Sequence, residues 1–185
     1  MENWKRNLPL HLTMSRVYVV PLFFIFFQFD TLLSTFAASV LFIVASITDY
    51  YDGHYARKWG LVSMEGKFLD PVTDKILVSS VLILLVAKFR IDPYCVIILL
   101  ARDTIIGGLR SIAAAERVIL DAKATGKWKT ALQMVAIPCL MLYPLPEPAN
   151  YINHLGRIIL WASVILSLLS GYQYWQIFKA RSKNV

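Results

Sequence analysis

Long apolar stretches separated by short polar breaks constrain the fold of this chain more than any other feature. Residues 31–48 and 158–178 contain no charged side chain, and a helix needs roughly 18 such residues to cross the hydrocarbon core of a bilayer. Hydrophobic residues make up 57% of the 185-residue sequence, which is more than a soluble domain of this size requires. The sequence therefore predicts an all-α integral membrane protein.

We expect six transmembrane helices that form a single domain over residues 1–185, preceded by a short amphipathic helix over residues 1–11. Several of these spans carry charges inward of their ends, and such side chains should face a protein-lined, water-accessible cavity rather than lipid. The predicted spans cover residues 13–29, 31 to well past 48, 66–88, 93–115, 128–143 and 155–178.

The distribution of basic residues predicts the orientation of the spans. The net charge is +7, yet the connections at residues 28–31 and 145–153 contain no lysine or arginine. Basic residues gather instead near both termini and in residues 54–67 and 110–129. By the positive-inside rule, both termini and these two basic segments should face the cytoplasm. A basic cytoplasmic rim also attracts anionic lipids and anionic substrates.

Four aspartates lie close together in sequence at the predicted cytoplasmic ends of the second and third spans. Asp49 and Asp52 are three residues apart, and Asp70 and Asp74 are four apart, so each pair shares one face of its helix. Carboxylates at membrane depth are costly and indicate a functional site. Because four clustered anions need cations, and oxygen ligands suit Mg²⁺, we predict a site for two divalent metals that act on phosphate.

Small residues continue the acidic stripe of the second span. Asp49, Gly53 and Ala56 follow helical spacing, so a flat or bulky group could lie against the helix backbone there. Close helix–helix packing is the alternative for these two small residues. Arg57 has a guanidinium suited to bidentate phosphate binding. The alternative is that Arg57 extends its charged group to the membrane surface and binds no ligand.

The spacing of these residues resembles a known family signature. Residues 49–74 match D-x-x-D-G-x-x-A-R-x8-G-x-x-x-D-x-x-x-D, which is typical of the CDP-alcohol phosphotransferases. The resemblance implies a membrane enzyme, usually a six-helix homodimer, that depends on Mg²⁺ or Mn²⁺. Such enzymes displace CMP from a CDP-linked lipid or alcohol with a second alcohol.

The resemblance also implies roles for single residues. Asp74 corresponds to the base that deprotonates the acceptor hydroxyl. The residues that correspond to the two-metal site are Asp49, Asp52, Asp70 and Asp74. Those that correspond to the site for the CDP-linked lipid are Asp49, Gly53, Ala56 and Arg57.

Other segments resemble the phosphatidylglycerophosphate synthase branch of the family, which uses glycerol 3-phosphate as acceptor. These segments are residues 7–16, 101–103, 109–110 and 126–134, with Asp103 standing where the branch usually has glutamate. A small dianionic acceptor requires nearby cations, and we predict that its phosphate binds to Arg102, Arg110, Lys127 and Lys129.

These basic residues also have simpler interpretations. Lys127 and Lys129 could be ordinary cytoplasmic charges, and Arg102 could brace the fold by pairing with a carboxylate of another helix. Asp103 and Arg110 lie seven residues apart and share a face of the fourth helix, so Asp103 could orient the arginine.

The resemblance therefore predicts transfer of a phosphatidyl group from CDP-diacylglycerol to glycerol 3-phosphate, in the inner membrane of a bacterium, with the active site facing the cytoplasm. Other acceptors, as in a cardiolipin synthase or a phosphatidylinositol-phosphate synthase, remain open. A cation transporter is a weaker alternative. Transport sites usually lie near the bilayer midplane, often on broken helices of paired repeats, whereas here the acids lie at one cytoplasmic edge and no repeat is evident. An inactive scaffold is disfavoured by the complete carboxylate set. We expect membrane lipids and a second copy of the chain as partners, and no nucleic acid.

Overall fold

The computed structural model describes residues 18–58, 64–115, 124–146 and 149–182. Within these ranges the chain forms helices and no strand. The all-α prediction is therefore confirmed. The amphipathic helix predicted for residues 1–11 lies outside the described residues. Six helices follow one another along the described chain: α1 (Tyr18–Gln28), α2 (Leu32–Lys58), α3 (Met64–Ala87), α4 (Pro93–Ala115), α5 (Ala124–Met141) and α6 (Tyr151–Ser182).

Helix boundaries differ from the predicted spans where a helix continues beyond its apolar segment. α4 begins at Pro93 and ends at Ala115 as predicted, since proline suits the first turn of a helix. α6 is several residues longer at both ends than the predicted span 155–178. α5 begins four residues before the predicted Trp128. Polar residues in these extensions still make helical hydrogen bonds, so hydropathy locates the apolar segment and not the end of the helix.

α5 is the central element of the bundle. It packs against α6 along most of its length and also contacts α2 and α3, while α4 packs against α6 and α3. α5 and α6 approach closely at Gly156, where an added Cβ would lie 2.9 Å from Leu140 Cγ. The largest fully buried side chains fill the space between the helices: Phe23, Phe42, Leu82, Leu85, Leu99, Ile137, Leu140, Met141 and Leu160.

The outer surfaces of the helices are also apolar. Exposed large hydrophobic residues occur on every described helix, for example Leu33, Ile97 and Ile158. Extended apolar surface of this kind is unusual for a monomeric protein in water. By length and composition, one described helix, at Tyr151–Lys179, is long and apolar enough to cross a membrane. Shorter apolar segments cover Tyr18–Gln28, Leu32–Thr48 and Lys75–Ala87.

A buried arginine joins the helix connections at the end of the bundle far from the acidic motif. Arg90 is 6% exposed, and it donates to Met141 O at 2.7 Å and to Asp30 Oδ1 at 3.1 Å. Its guanidinium also lies 4.8 Å from the centre of the Tyr143 ring. Lys88 donates to Asp30 Oδ2 at 2.8 Å. We call these residues the Arg90 cluster; it ties the α1–α2 and α3–α4 connections to the end of α5.

Candidate active site

The four motif aspartates lie on helical backbone at adjoining ends of successive helices. Asp49 and Asp52 belong to the last part of α2, and Asp70 and Asp74 to the first part of α3. Helical geometry therefore holds for both pairs, and each pair lies on one face of its helix. The side chains of all four lie outside the described part of the structure, so their convergence on metal ions stays a prediction.

The residues predicted to hold the CDP-linked lipid also lie on this end of α2. Gly53, Ala56 and Arg57 occupy the final turns before Lys58, and their side chains lie outside the described part. Among the side chains that the structure does describe, no group of three histidine, cysteine, aspartate or glutamate residues could hold a metal ion. The four motif aspartates do not belong to that set, so their predicted role is untested.

Two of the four residues predicted to bind the acceptor phosphate, Arg102 and Lys129, contact Asp103 on α4. Lys129 on α5 donates to both carboxylate oxygens of Asp103 at 2.5 Å, and Arg102 Nη1 donates to Oδ1 at 2.9 Å. Lys75 on α3 donates to the main-chain carbonyl of Asp103 at 3.0 Å. We refer to Lys75, Arg102, Asp103, Lys129 and Ser170 as the Asp103 cluster, which connects α3, α4, α5 and α6.

Burial makes the pairing within this cluster energetically important. Lys129 is 4% exposed, whereas the Asp103 side chain is 24% exposed. A buried ammonium without a counter-charge is strongly unfavourable, so Asp103 is the group that makes the burial of Lys129 possible. The structure therefore shows a bracing contact for Lys129, and its predicted contact with the acceptor phosphate remains a prediction.

Arg102 joins α4 to α6. Its Nε donates to Ser167 O at 3.0 Å, and its Nη2 donates to Ser170 Oγ at 2.8 Å. Gly171 leaves room for the arginine, because an added Cβ there would lie 3.3 Å from Arg102 Cγ. The bracing interpretation of Arg102 thus has direct support, although its carboxylate partner, Asp103, belongs to its own helix and not to another one.

Arg110 is held by an aromatic residue of α6. Its guanidinium carbon lies 4.8 Å from the centre of the Tyr174 ring, and Nη2 donates to the Tyr174 hydroxyl. The expectation that Asp103 orients this arginine is not met in the structure. Seven residues separate the two along α4, which corresponds to about 10 Å of helix rise, and Asp103 pairs with Lys129 and Arg102. Lys127 is exposed near the start of α5.

The sequence analysis missed three residues of this region: Lys75, Ser170 and Tyr174. Lys75 directly follows the predicted base Asp74, which was the available signal. Ser170 and Tyr174 lie in α6, where an apolar helix with occasional hydroxyl groups gives no pattern that distinguishes a polar contact from ordinary packing.

Comparison of the sequence with known proteins identifies its family. The family model for CDP-alcohol phosphatidyltransferases matches residues 6–169. The chain belongs to the CDP-alcohol phosphatidyltransferase family. The matched range contains the whole acidic motif and the Asp103 cluster except Ser170, which follows its last residue directly.

Relatives in this family resemble the chain over nearly its whole length. A CDP-diacylglycerol–glycerol-3-phosphate 3-phosphatidyltransferase of Rickettsia bellii (strain RML369-C) is 38% identical over 173 residues, which cover 94% of this chain and 96% of that protein. Proteins of the same name from Bacillus subtilis (strain 168) and Haemophilus influenzae (strain ATCC 51907 / DSM 11121 / KW20 / Rd) are 37% and 36% identical. Their alignments cover 94% of this chain and 97% of the Bacillus protein, and 95% of each in the Haemophilus comparison.

Proposed function

We propose that this CDP-alcohol phosphatidyltransferase transfers the phosphatidyl group of CDP-diacylglycerol to glycerol 3-phosphate, which gives phosphatidylglycerophosphate and CMP. The observation that carries this proposal is the similarity over 94% or more of the chain to relatives that bear the name of that activity. The family resemblance of residues 49–74, read from the sequence alone, supports the same reaction class.

The proposed enzyme resides in a bacterial inner membrane as six spanning helices, with the acidic motif at the cytoplasmic face. The apolar outer surfaces of the described helices support this placement, and so does the concentration of basic residues in the segments on the side of the motif. A lipid substrate can then keep its acyl chains in the bilayer while its head group reaches the ends of α2 and α3. We further propose a homodimer, as the family resemblance implies.

The motif residues have distinct roles in the proposed reaction. Gly53 and Ala56 leave space along α2 for the cytidine end of the donor, and Arg57 binds its phosphates. Asp74 accepts the proton of the acceptor's 1-hydroxyl. The hydroxyl oxygen forms a bond to the β-phosphorus of the donor, the bond from that phosphorus to the bridging oxygen breaks, and CMP leaves with the electron pair. Direct displacement needs no covalent enzyme intermediate.

The four aspartates fit a pair of divalent cations by the chemistry of their donors. Asp49, Asp52, Asp70 and Asp74 supply carboxylate oxygens at helical spacing, and these are ligands that Mg²⁺ and Mn²⁺ accept. When bound, two such ions neutralise the charge of the pyrophosphate oxygens and of the leaving group.

Release of CMP by purified protein tests the proposal. The enzyme is incubated with CDP-diacylglycerol and Mg²⁺, and glycerol 3-phosphate, phosphatidylglycerol or an inositol phosphate is supplied as acceptor. We expect release with glycerol 3-phosphate, none after chelation of the metal, and none from an Asp70→Ala variant that still elutes as folded protein. Preference for another acceptor would overturn the assigned substrate, and near-normal turnover by Asp70→Ala would overturn the metal site.

A further inference from the structure

Lys75 differs from the other cations of the Asp103 cluster in the kind of partner it has. Arg102 and Lys129 both form ion pairs with the Asp103 carboxylate. Lys75 instead donates to the uncharged carbonyl of Asp103 at 3.0 Å, and among the described residues it has no carboxylate within ion-pair distance. Its side chain is exposed, whereas Lys129 is buried. The positive charge of Lys75 is therefore both accessible and uncompensated within the described structure.

The charge balance of the cluster favours an anionic ligand. Within the described part of the structure, the Asp103 carboxylate pairs with Arg102 and Lys129, and Lys75 lies against the main-chain carbonyl of the same residue, so three cations accompany one carboxylate. An ammonium group has three N–H donors, and the carbonyl of Asp103 uses one of them. Among the described residues, no other group accepts a hydrogen bond from Lys75, and its remaining donors can bind an anionic group through charge-assisted hydrogen bonds, which are the strongest kind.

Gly107 leaves the space that this ammonium occupies against α4. A Cβ built on Gly107 would lie 2.8 Å from Lys75 Nζ, too close for both to keep their places. At the adjacent Gly108 an added Cβ meets nothing within 4 Å. The ammonium of Lys75 can therefore lie against α4 only because residue 107 has no side chain, whereas a side chain at position 108 would not displace it.

We propose that Lys75 binds the phosphate of the acceptor and so selects a phosphorylated alcohol. This inference rests on the proposed function, which supplies glycerol 3-phosphate as the acceptor. Lys75 follows the predicted base Asp74 directly, with a rise of about 1.5 Å along α3. In glycerol 3-phosphate three carbons separate the attacking hydroxyl from the phosphate. Consecutive side chains leave a helix about 100° apart, and the long stem of Lys75 is what would let its ammonium reach the phosphate end of an acceptor of this short length.

The role of Lys75 can be tested by the steady-state kinetics of two variants and of one matched control variant. We expect Lys75→Gln to raise the KM for glycerol 3-phosphate about tenfold or more, as for loss of a charged hydrogen bond, with the KM for CDP-diacylglycerol unchanged. Gly107→Ala should shift the same KM in the same direction by displacing the ammonium. Gly108→Ala makes the same change in helix propensity and should leave both constants unchanged.

Inhibition by inorganic phosphate provides an independent readout. Phosphate should compete with glycerol 3-phosphate in the unmodified enzyme and should compete less well in Lys75→Gln. Equal changes in both KM values, a change in kcat alone, or equal effects of Gly107→Ala and Gly108→Ala would overturn the role of Lys75. The glycine pair keeps the test decisive if Lys75→Gln does not fold. A wild-type enzyme that prefers a phosphate-free acceptor would instead refute the proposed function itself.

Discussion

Replacement of Asp103 by asparagine should destabilise the protein far more than replacement of its partner Lys129 by methionine. Asp103→Asn removes the charge that compensates Lys129, which is 4% exposed, and also removes the charge paired with Arg102. Loss of one partner from a buried ion pair costs about 3–5 kcal/mol. Because the Asp103 side chain is 24% exposed and asparagine still accepts a hydrogen bond, we expect about 3 kcal/mol.

The Lys129→Met variant should lose much less stability than Asp103→Asn. The unbranched methionine fills most of the space of the lysine stem, and Asp103 keeps Arg102 as its partner with part of its surface exposed. We expect a loss of about 1 kcal/mol or less, because no buried charge is left uncompensated. In the double variant the asparagine no longer faces an ammonium, so the combined loss should fall about 2 kcal/mol short of the sum.

Thermal unfolding in detergent measures these differences through the cysteines of the chain. Cys95 is buried and Cys139 is half-buried, and both are free thiols, so a thiol-reactive fluorophore labels them as the helices separate. A loss of about 3 kcal/mol corresponds to a fall in Tm of roughly 6–12 °C for a chain of this length. Equal losses for the two single variants, or strict additivity in the double variant, would refute the argument that Asp103 compensates a buried Lys129.

Two further predictions concern the close approach of α5 and α6 and the charges of the Arg90 cluster. Gly156→Ala should lower stability by about 1–3 kcal/mol through overpacking against Leu140, as measured by Tm, whereas Gly108→Ala should not; equal Tm values would contradict it. The hydrogen bond from Lys88 lowers the pKa of Asp30 below its ordinary 3.8. The small stabilisation that ionised Asp30 contributes is therefore present above pH 3.8 and is lost as the pH falls through the lower pKa of the folded state. Acid titration of Tm should thus be shallower for Asp30→Asn than for the unmodified protein, and parallel curves would exclude the effect.

Much of the helical architecture could be predicted from the sequence because apolar length and turn residues act locally. α4 matches its predicted range because Pro93 starts it, while α5 and α6 extend into polar residues that hydropathy does not include. The placement of Asp49, Asp52, Asp70 and Asp74 on two helix ends follows from the same local rules.

Side-chain partners across helices were much harder to predict. The pairing of Lys129 with Asp103 joins α5 to α4, and the contact of Arg110 with Tyr174 joins α4 to α6. Both depend on how the helices pack and rotate relative to one another, which periodicity within one helix does not specify. Helical spacing correctly placed Asp103 and Arg110 on one face, yet it could not reveal that a tyrosine from another helix holds the arginine.

The Arg90 cluster has a consequence for the order in which the bundle assembles. The guanidinium of Arg90 donates to Asp30 and to Met141, and the main-chain carbonyl of Arg90 accepts a hydrogen bond from Arg157 at 3.2 Å. These partners come from the connection before α2, the last turn of α5 and the first turns of α6. A nascent chain that lacks α6 already contains the residues for the contacts of Arg90 with Asp30 and Met141, and only the contact with Arg157 must wait until the last helix has been made.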